Sequence, residues 1–162
     1  RSRLIDEHGL NDFVRIDADD FRWWFPYYNE ENSFLFQEPA SDMVDYIYEK
    51  SLSDNHQIIM DSTFASRNYA EKNFAAARAA GYEIILNYVY LDPVIAWQYA
   101  TKRKRAVPLD VWKRNFINGR KVIKHMLDKY EGRFTFNVYQ RYASSTETTG
   151  CGGTRIFKVT KS

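Results

Sequence analysis

Short apolar runs that end in acidic residues alternate along this chain with longer segments of helical spacing. Residues 13–17 are the first such run. Val14 and Ile16 are β-branched and Phe13 adds an aromatic ring, which predicts a buried strand. The run stops at Asp17, Asp19 and Asp20. Burying these carboxylates unpaired would cost on the order of several kcal/mol each. They are therefore expected at the C-terminal end of the strand, where open α/β sheets keep their ligand crevice. If the strand stays extended through them, Asp17 and Asp19 face the same way. The alternative is a solvated acidic turn that caps the following helix.

Residues 57–64 repeat the pattern, an apolar run closing on Asp61, Ser62 and Thr63. Continuous runs of this kind mark strands covered on both faces, as in parallel sheets. Residues 82–91 read as a third strand and 133–141 as a fourth, with Phe134, Phe136 and Val138 alternating with polar positions. Residues 155–161 alternate too and are expected to close the sheet as an edge strand. Helical spacing covers the intervals. Residues 2–8 resemble the tail of a helix ending at Gly9. Residues 39–52 place Ala40, Met43, Val44, Ile47 and Ser51 on one face, with Pro39 in the first turn. An Ala-rich helix runs to Ala80 and stops at Gly81, with Asn68 and Glu71 as a candidate capping box. A short helix spans 93–101. A long one follows Pro108, with Trp112, Phe116, Gly119, Ile123, Met126 and Tyr130 as its apolar stripe. The stretch 143–154 is rich in Ser, Thr and Gly and reads as a surface loop.

Strands alternating with helices predict an α/β fold with a mainly parallel sheet and helices on both faces. The 162 residues, 44% of them apolar, read as a single globular domain, 1–162, with a real core. A net charge of +2 is too balanced to make nucleic acid the default partner. The single cysteine, Cys151, cannot form an internal disulfide, which fits a reducing compartment. No apolar run approaches the roughly 20 residues of a membrane span, and His8, His56 and His125 are scattered, so no metal site is expected. The expected location is the cytoplasm. Trp23, Trp24, Phe25, Tyr27 and Tyr28 follow the first acidic cluster and either plug a core or line a cleft.

Two strands ending in carboxylates, with clustered cations at Lys102, Arg103, Lys104 and Arg105, are the equipment of phosphoryl transfer. A carboxylate orients the attacking hydroxyl and accepts its proton, while guanidinium forks bind phosphate oxygens in pairs. The plainer reading of the cationic cluster is a solvated helix end favoured by the dipole. A short nucleic-acid patch is a third reading.

The ordered motifs resemble the zeta toxin kinases, P-loop kinases related to chloramphenicol phosphotransferase. Ile16-Asp17-Ala18-Asp19-Asp20-Phe21-Arg22 followed by Pro26 is similar to I-D-x-D-x-[FY]-[RK] and its downstream proline. Pro39-Ala40-Ser41 leads into Ile59-Met60-Asp61-Ser62-Thr63, which resembles the I-E-G-T strand. Gly81-Tyr82-Glu83, Arg105-Ala106-Val107-Pro108 and Tyr139-Gln140-Arg141 are similar to the G-Y-[ED], R-A-T-P and Y-[NQ]-R elements. Order and approximate spacing hold over nearly all of the chain.

The resemblance implies an ATP- and Mg²⁺-dependent phosphotransferase acting on a hydroxyl of a small molecule, with UDP-N-acetyl sugars as the family's substrate class and an antitoxin protein as a partner. It implies Asp19 as the base, Asp17, Asp61 and Thr63 as substrate contacts, and Arg103 and Arg105 as catalytic, phosphate-binding lid residues. Lys104 is an alternative to Arg103, and Arg141 is a further nucleotide contact. Asp61 is one methylene shorter than the family's Glu, and the lid is shorter. At least one of Asp17, Asp19 and Asp20 should titrate above an ordinary Asp unless Arg15, Arg22 or Mg²⁺ offsets the like charges.

No G-x-x-x-x-G-K-[ST] occurs. Gly150-Cys151-Gly152-Gly153-Thr154 lacks the Lys and lies in the wrong place. By the family's order, the phosphate loop and its strand, the first central strand of the sheet, would precede Arg1, so the sequence is expected to lack both and, alone, to be a poor catalyst. A non-catalytic domain that keeps the fold and the acceptor cleft is the alternative from another class. A polynucleotide kinase using the basic cluster is a third.

Overall fold

The computed structural model describes residues 13–103, 107–143 and 151–158. Its backbone clusters into two compact units, Arg1–Ser62 and Thr63–Ser162, each taken by itself below. The helical tail expected at residues 2–8 lies outside the described residues.

In the first unit, β1 (Val14–Asp17) is followed at once by the short helix α1 (Ala18–Arg22). A 3₁₀ segment, Glu30–Phe36, leads into α2 (Gln37–Ser53), and β2 (Ile58–Asp61) ends the unit. β1 and β2 are parallel, with Val14 opposite Ile58 and Asp17 opposite Asp61. A parallel pair needs a crossover, and α1 and α2 supply it. Helix α2 buries Ala40, Val44, Tyr48 and Ser51, which recur at helical spacing. With Ile16 and Phe21 these residues form the unit's core.

The second unit holds α3 (Arg67–Ala79), β3 (Ile85–Tyr90), α4 (Pro93–Thr101), α5 (Leu109–Lys129), β4 (Thr135–Ala143) and β5 (Cys151–Lys158). β3 and β4 are parallel across the α4–α5 crossover, and β5 adds antiparallel to β4 at the edge. The edge strand begins at Cys151, so residues 151–154, read as loop from their Gly and Thr content, are strand. Backbone pairing to β4 decides the matter, since Gly in an edge position only weakens a strand.

The core of this unit lies between α3 and α5, where Ala70 and Phe74 meet Val122 and Met126, flanked by Phe64, Ile84, Tyr130 and Phe134. Phe74 sits 4.4 Å from the Tyr130 ring and 5.5 Å from Phe134. These arrangements add about 0.5–1.5 kcal/mol per pair beyond burial. The stripe expected on α5 is therefore its inward face.

Two helix ends show local physics at work. Gly81 adopts φ +83°, its N–H bonds the Arg78 carbonyl, and the Tyr82 N–H bonds Ala77, so α3 closes in a Schellman motif. At the start of α3 the cap is Ser66, whose hydroxyl accepts from the Tyr69 N–H. This corrects the Asn68–Glu71 box. A Ser two residues earlier already holds an extended conformation and caps well, which leaves Glu71 for other partners.

Candidate active site

The first acidic cluster forms because β1 stops at Asp17. Asp17 is extended (φ −141°, ψ 118°), and its Oδ1 accepts the Asp19 N–H at 2.9 Å, so it is the N-cap of α1. The strand does not stay extended through Asp19; the capping alternative is the one observed. Carboxylates at the cap and in the first turn suit the positive end of the helix. Asp19 and Asp20 stand exposed in that turn.

Two arginines organise the cluster. Arg15, two positions before Asp17 on the strand, spans Asp17 Oδ2 at 2.6 Å and Asp20 Oδ2 at 2.7 Å. Arg22, one turn after Asp19, is only 4% exposed. Its Nη1 donates to Asp19 Oδ1 and its Nη2 to Gln37 Oε1 at 2.6 Å. Arg22 thus pins the Asp19 carboxylate to the first residue of α2. Sequence reasoning named it as part of a motif and as a cation able to offset the acidic cluster, and missed its positioning role. The i, i+3 spacing of Asp19 and Arg22 on a helix was the available signal.

The parallel register then brings Asp61 to the same edge, opposite Asp17. Partial burial of its carboxyl, and next the charge of Asp17, raise its pKa above the ordinary Asp value, with smaller contributions from Asp19 and Asp20 and a lowering by Arg15. The residue as a whole is exposed. Arg15 and Arg22 pair with Asp17, Asp20 and Asp19, and the carboxyl at this edge whose pKa is raised is Asp61. The first unit therefore brings together Asp17, Asp19 and Asp61 of the expected site.

Thr63, Arg103 and Arg141 belong to the second unit. Thr63 is exposed at its start, Arg103 is exposed just past α4, and Arg141 lies on β4. Lys104 and Arg105 lie outside the described residues. The aromatic segment after α1 does not plug a core. Trp23, Trp24 and Tyr27 are largely exposed, with Trp23 edge-on to Tyr28 at 5.0 Å. Among the described residues no three His, Cys, Asp or Glu converge on a point that a metal ion could fill, and no helix is long and apolar enough to cross a membrane.

A family model described as zeta toxin matches residues 2–149. A solved structure from the PezAT chromosomal toxin–antitoxin system of Streptococcus pneumoniae is similar in fold, with a TM-score of 0.62 at 17% sequence identity. The likeness covers 94% of this chain and 64% of that one, so this chain spans about 64% of the length of the structure it matches. No curated protein sequence matches it. The likeness shows the expected α/β fold of the P-loop kinase type.

Proposed function

The chain belongs to the zeta toxin family, and from that membership we propose an ATP-dependent phosphotransferase acting on a hydroxyl of a small molecule, a UDP-N-acetyl sugar being the family's substrate class. The observation that carries the reading is the opposition of Asp17 and Asp61 at the end of β1 and β2, with Asp19 in the adjoining helical turn. Three carboxylates at one strand edge suit an acceptor rich in hydroxyls, since each accepts a hydrogen bond from an O–H.

In this reading Asp19 takes the acceptor's hydroxyl hydrogen bond and orients the oxygen for attack. Arg22 fixes the carboxylate's direction without shielding it, because Asp19 itself is exposed. Orientation matters more than early proton removal where the transition state is loose. Asp61, held above the ordinary Asp range, suits a contact to a second hydroxyl, as it can accept or, when protonated, donate. Thr63 would contribute a further hydroxyl contact.

ATP with Mg²⁺, when bound, supplies the phosphoryl group and its charge neutralisation. Arg103, Arg105 and Arg141 are this chain's candidates to hold the phosphates by paired N–H donors. The described carboxylates would give Mg²⁺ one or two ligands at most, which is how that ion is ordinarily held beside phosphates. A neutralising antitoxin is the proposed partner.

The test is to incubate the full-length protein with ATP and UDP-N-acetylglucosamine and to read the acceptor by mass spectrometry. The expected product is heavier by one phosphate. Unmodified acceptor across a panel of sugar nucleotides, from protein that binds ATP, would reject the reading in favour of a non-catalytic binding domain.

A further inference from the structure

Apart from the acidic cluster, the second unit carries a cavity of about 330 Å³ at the rim of the α3–α5 interface. Ala65, Arg67, Asn118, Lys121, Val122 and His125 line it. We propose that this cavity binds a phosphate-bearing anion, a function separate from the phosphotransferase reading.

Helical spacing builds the site. Asn118, Lys121 and His125 lie at i, i+3 and i+7 on α5, so they share one face. Arg67 and Glu71 lie at i and i+4 on α3. Val122, buried at 5% exposure, forms the apolar floor. Glu71 already sits among the cations. Its Oε1 is 2.5 Å from His125 Nε2 and 3.2 Å from Arg67 Nε, and its Oε2 accepts from Lys129 Nζ at 2.9 Å.

A solvated ion-pair network would end there, but three features go further. The cavity's lining holds two full cations, Arg67 and Lys121, and no carboxylate, the one Glu71 beside it being shared with Lys129 outside the lining. Arg67 engages Glu71 through Nε alone, and its two terminal nitrogens make no polar contact among the described residues. Lys121 Nζ and the Asn118 amide are likewise unengaged among the described residues, and both residues line the cavity. A guanidinium fork, an ammonium and an amide N–H around one concave space are the donors that phosphate oxygens take, and the fork is geometrically specific for them. An excess of positive charge over an apolar floor favours an anion of more than one charge. The size lies within the range of small-molecule sites.

The phosphate could be free or carried by a nucleotide. The experiment titrates the full-length protein at low salt with orthophosphate, with UDP and with uridine, by calorimetry. Saturable binding of orthophosphate or UDP, and none of uridine, is expected. Because the acceptor site proposed above would also take UDP, only the affinity lost in Arg67→Ala with Lys121→Ala is assigned to this cavity; a larger loss for UDP than for orthophosphate assigns it to a nucleotide's phosphates, and the reverse to the free ion. Arg67→Ala combined with Lys121→Ala should weaken binding by about tenfold or more, the loss of one or two charge-assisted contacts. Lys113→Ala with Lys124→Ala removes the same charge outside the cavity and should leave affinity within about twofold. Glu71→Gln frees Arg67 and His125 and should tighten binding severalfold. Circular dichroism verifies that each variant is folded at the titration temperature. Equal loss in both double variants, unchanged affinity in Glu71→Gln, or no saturable phosphate binding overturns the proposal.

Discussion

Asp17 and Asp61 lie opposite each other in the β1–β2 register, at the residue where both strands end. In a parallel pair, opposed residues point to the same face, so two carboxylates share one small volume. Asp17 is compensated by Arg15 and by the Asp19 N–H. Asp61 bears the consequence. Its raised pKa means that the folded chain holds the Asp61 proton more tightly than the unfolded chain does. Stability then falls as pH rises from the ordinary value of 3.8 through the folded value, and the penalty persists at neutral pH. Asp61→Asn should therefore raise the melting temperature at pH 7, with the gain shrinking as pH is lowered toward 3.8. A lower melting temperature at pH 7 would mean that the charged form is favoured by the fold.

Arg22 is the buried half of an ion pair whose other half, Asp19, meets water. Loss of the guanidinium leaves Asp19 hydrated rather than stranded, so the cost is below that of a fully buried pair. Arg22→Ala should lower stability by about 1–3 kcal/mol, the range for hydrogen bonds to charged groups, read from the urea midpoint at constant slope. Arg22→Lys should recover only part of this, since an ammonium cannot reproduce the planar fork that links Asp19 and Gln37.

Glu71 is held down to a pKa of about 2, first by the Lys129 hydrogen bond and then by those of His125 and Arg67. A depressed carboxylate contributes stability that is present above 4.5 and is lost as pH falls toward about 2. Glu71→Gln should lower the melting temperature at pH 7, and the gap to the unaltered protein should close over that acid window. A gap independent of pH would assign the effect to packing.

Gly119 is buried in α5 where a Cβ would stand 2.9 Å from the Thr63 carbonyl oxygen. Ala gains about 1 kcal/mol of helix propensity over Gly. Overpacking against a backbone atom costs about 1–3 kcal/mol, because a carbonyl cannot swing aside as a side chain can. Gly119→Ala should thus be destabilising, by up to about 2 kcal/mol, in a urea titration. A stabilised variant would show that the 63–64 segment yields freely.

Much of this architecture is legible from sequence wherever one strong local rule acts. Pro93 with Asp92 before it defines α4, Gly81 ends α3, and the apolar stripe from Trp112 to Tyr130 marks the inward face of α5. The rules fail where two candidates compete. Ser66 outcompetes Asn68 as cap, and β4 pairing converts residues 151–154 from a Gly-rich loop into strand. Within the site, strand-end carboxylates were visible because an apolar run cannot continue through charge. The link from Arg22 on to Gln37 was not, because Gln37 is fifteen residues away and its approach depends on how α2 folds back on α1. The Glu71–His125 contact spans 54 residues and was invisible for the same reason.

The central claim is that Asp19 orients and deprotonates an acceptor hydroxyl. Asp19→Asn keeps the shape of the side chain and removes its charge. In the full-length protein, ATP affinity by calorimetry and phosphorylation of UDP-N-acetylglucosamine by mass shift are measured in parallel. The account predicts ATP affinity within about twofold of the unaltered protein and transfer suppressed by roughly 100-fold or more, the scale of general-base contributions. Full transfer activity in Asp19→Asn, or loss of ATP binding with transfer per bound ATP unchanged, would contradict it.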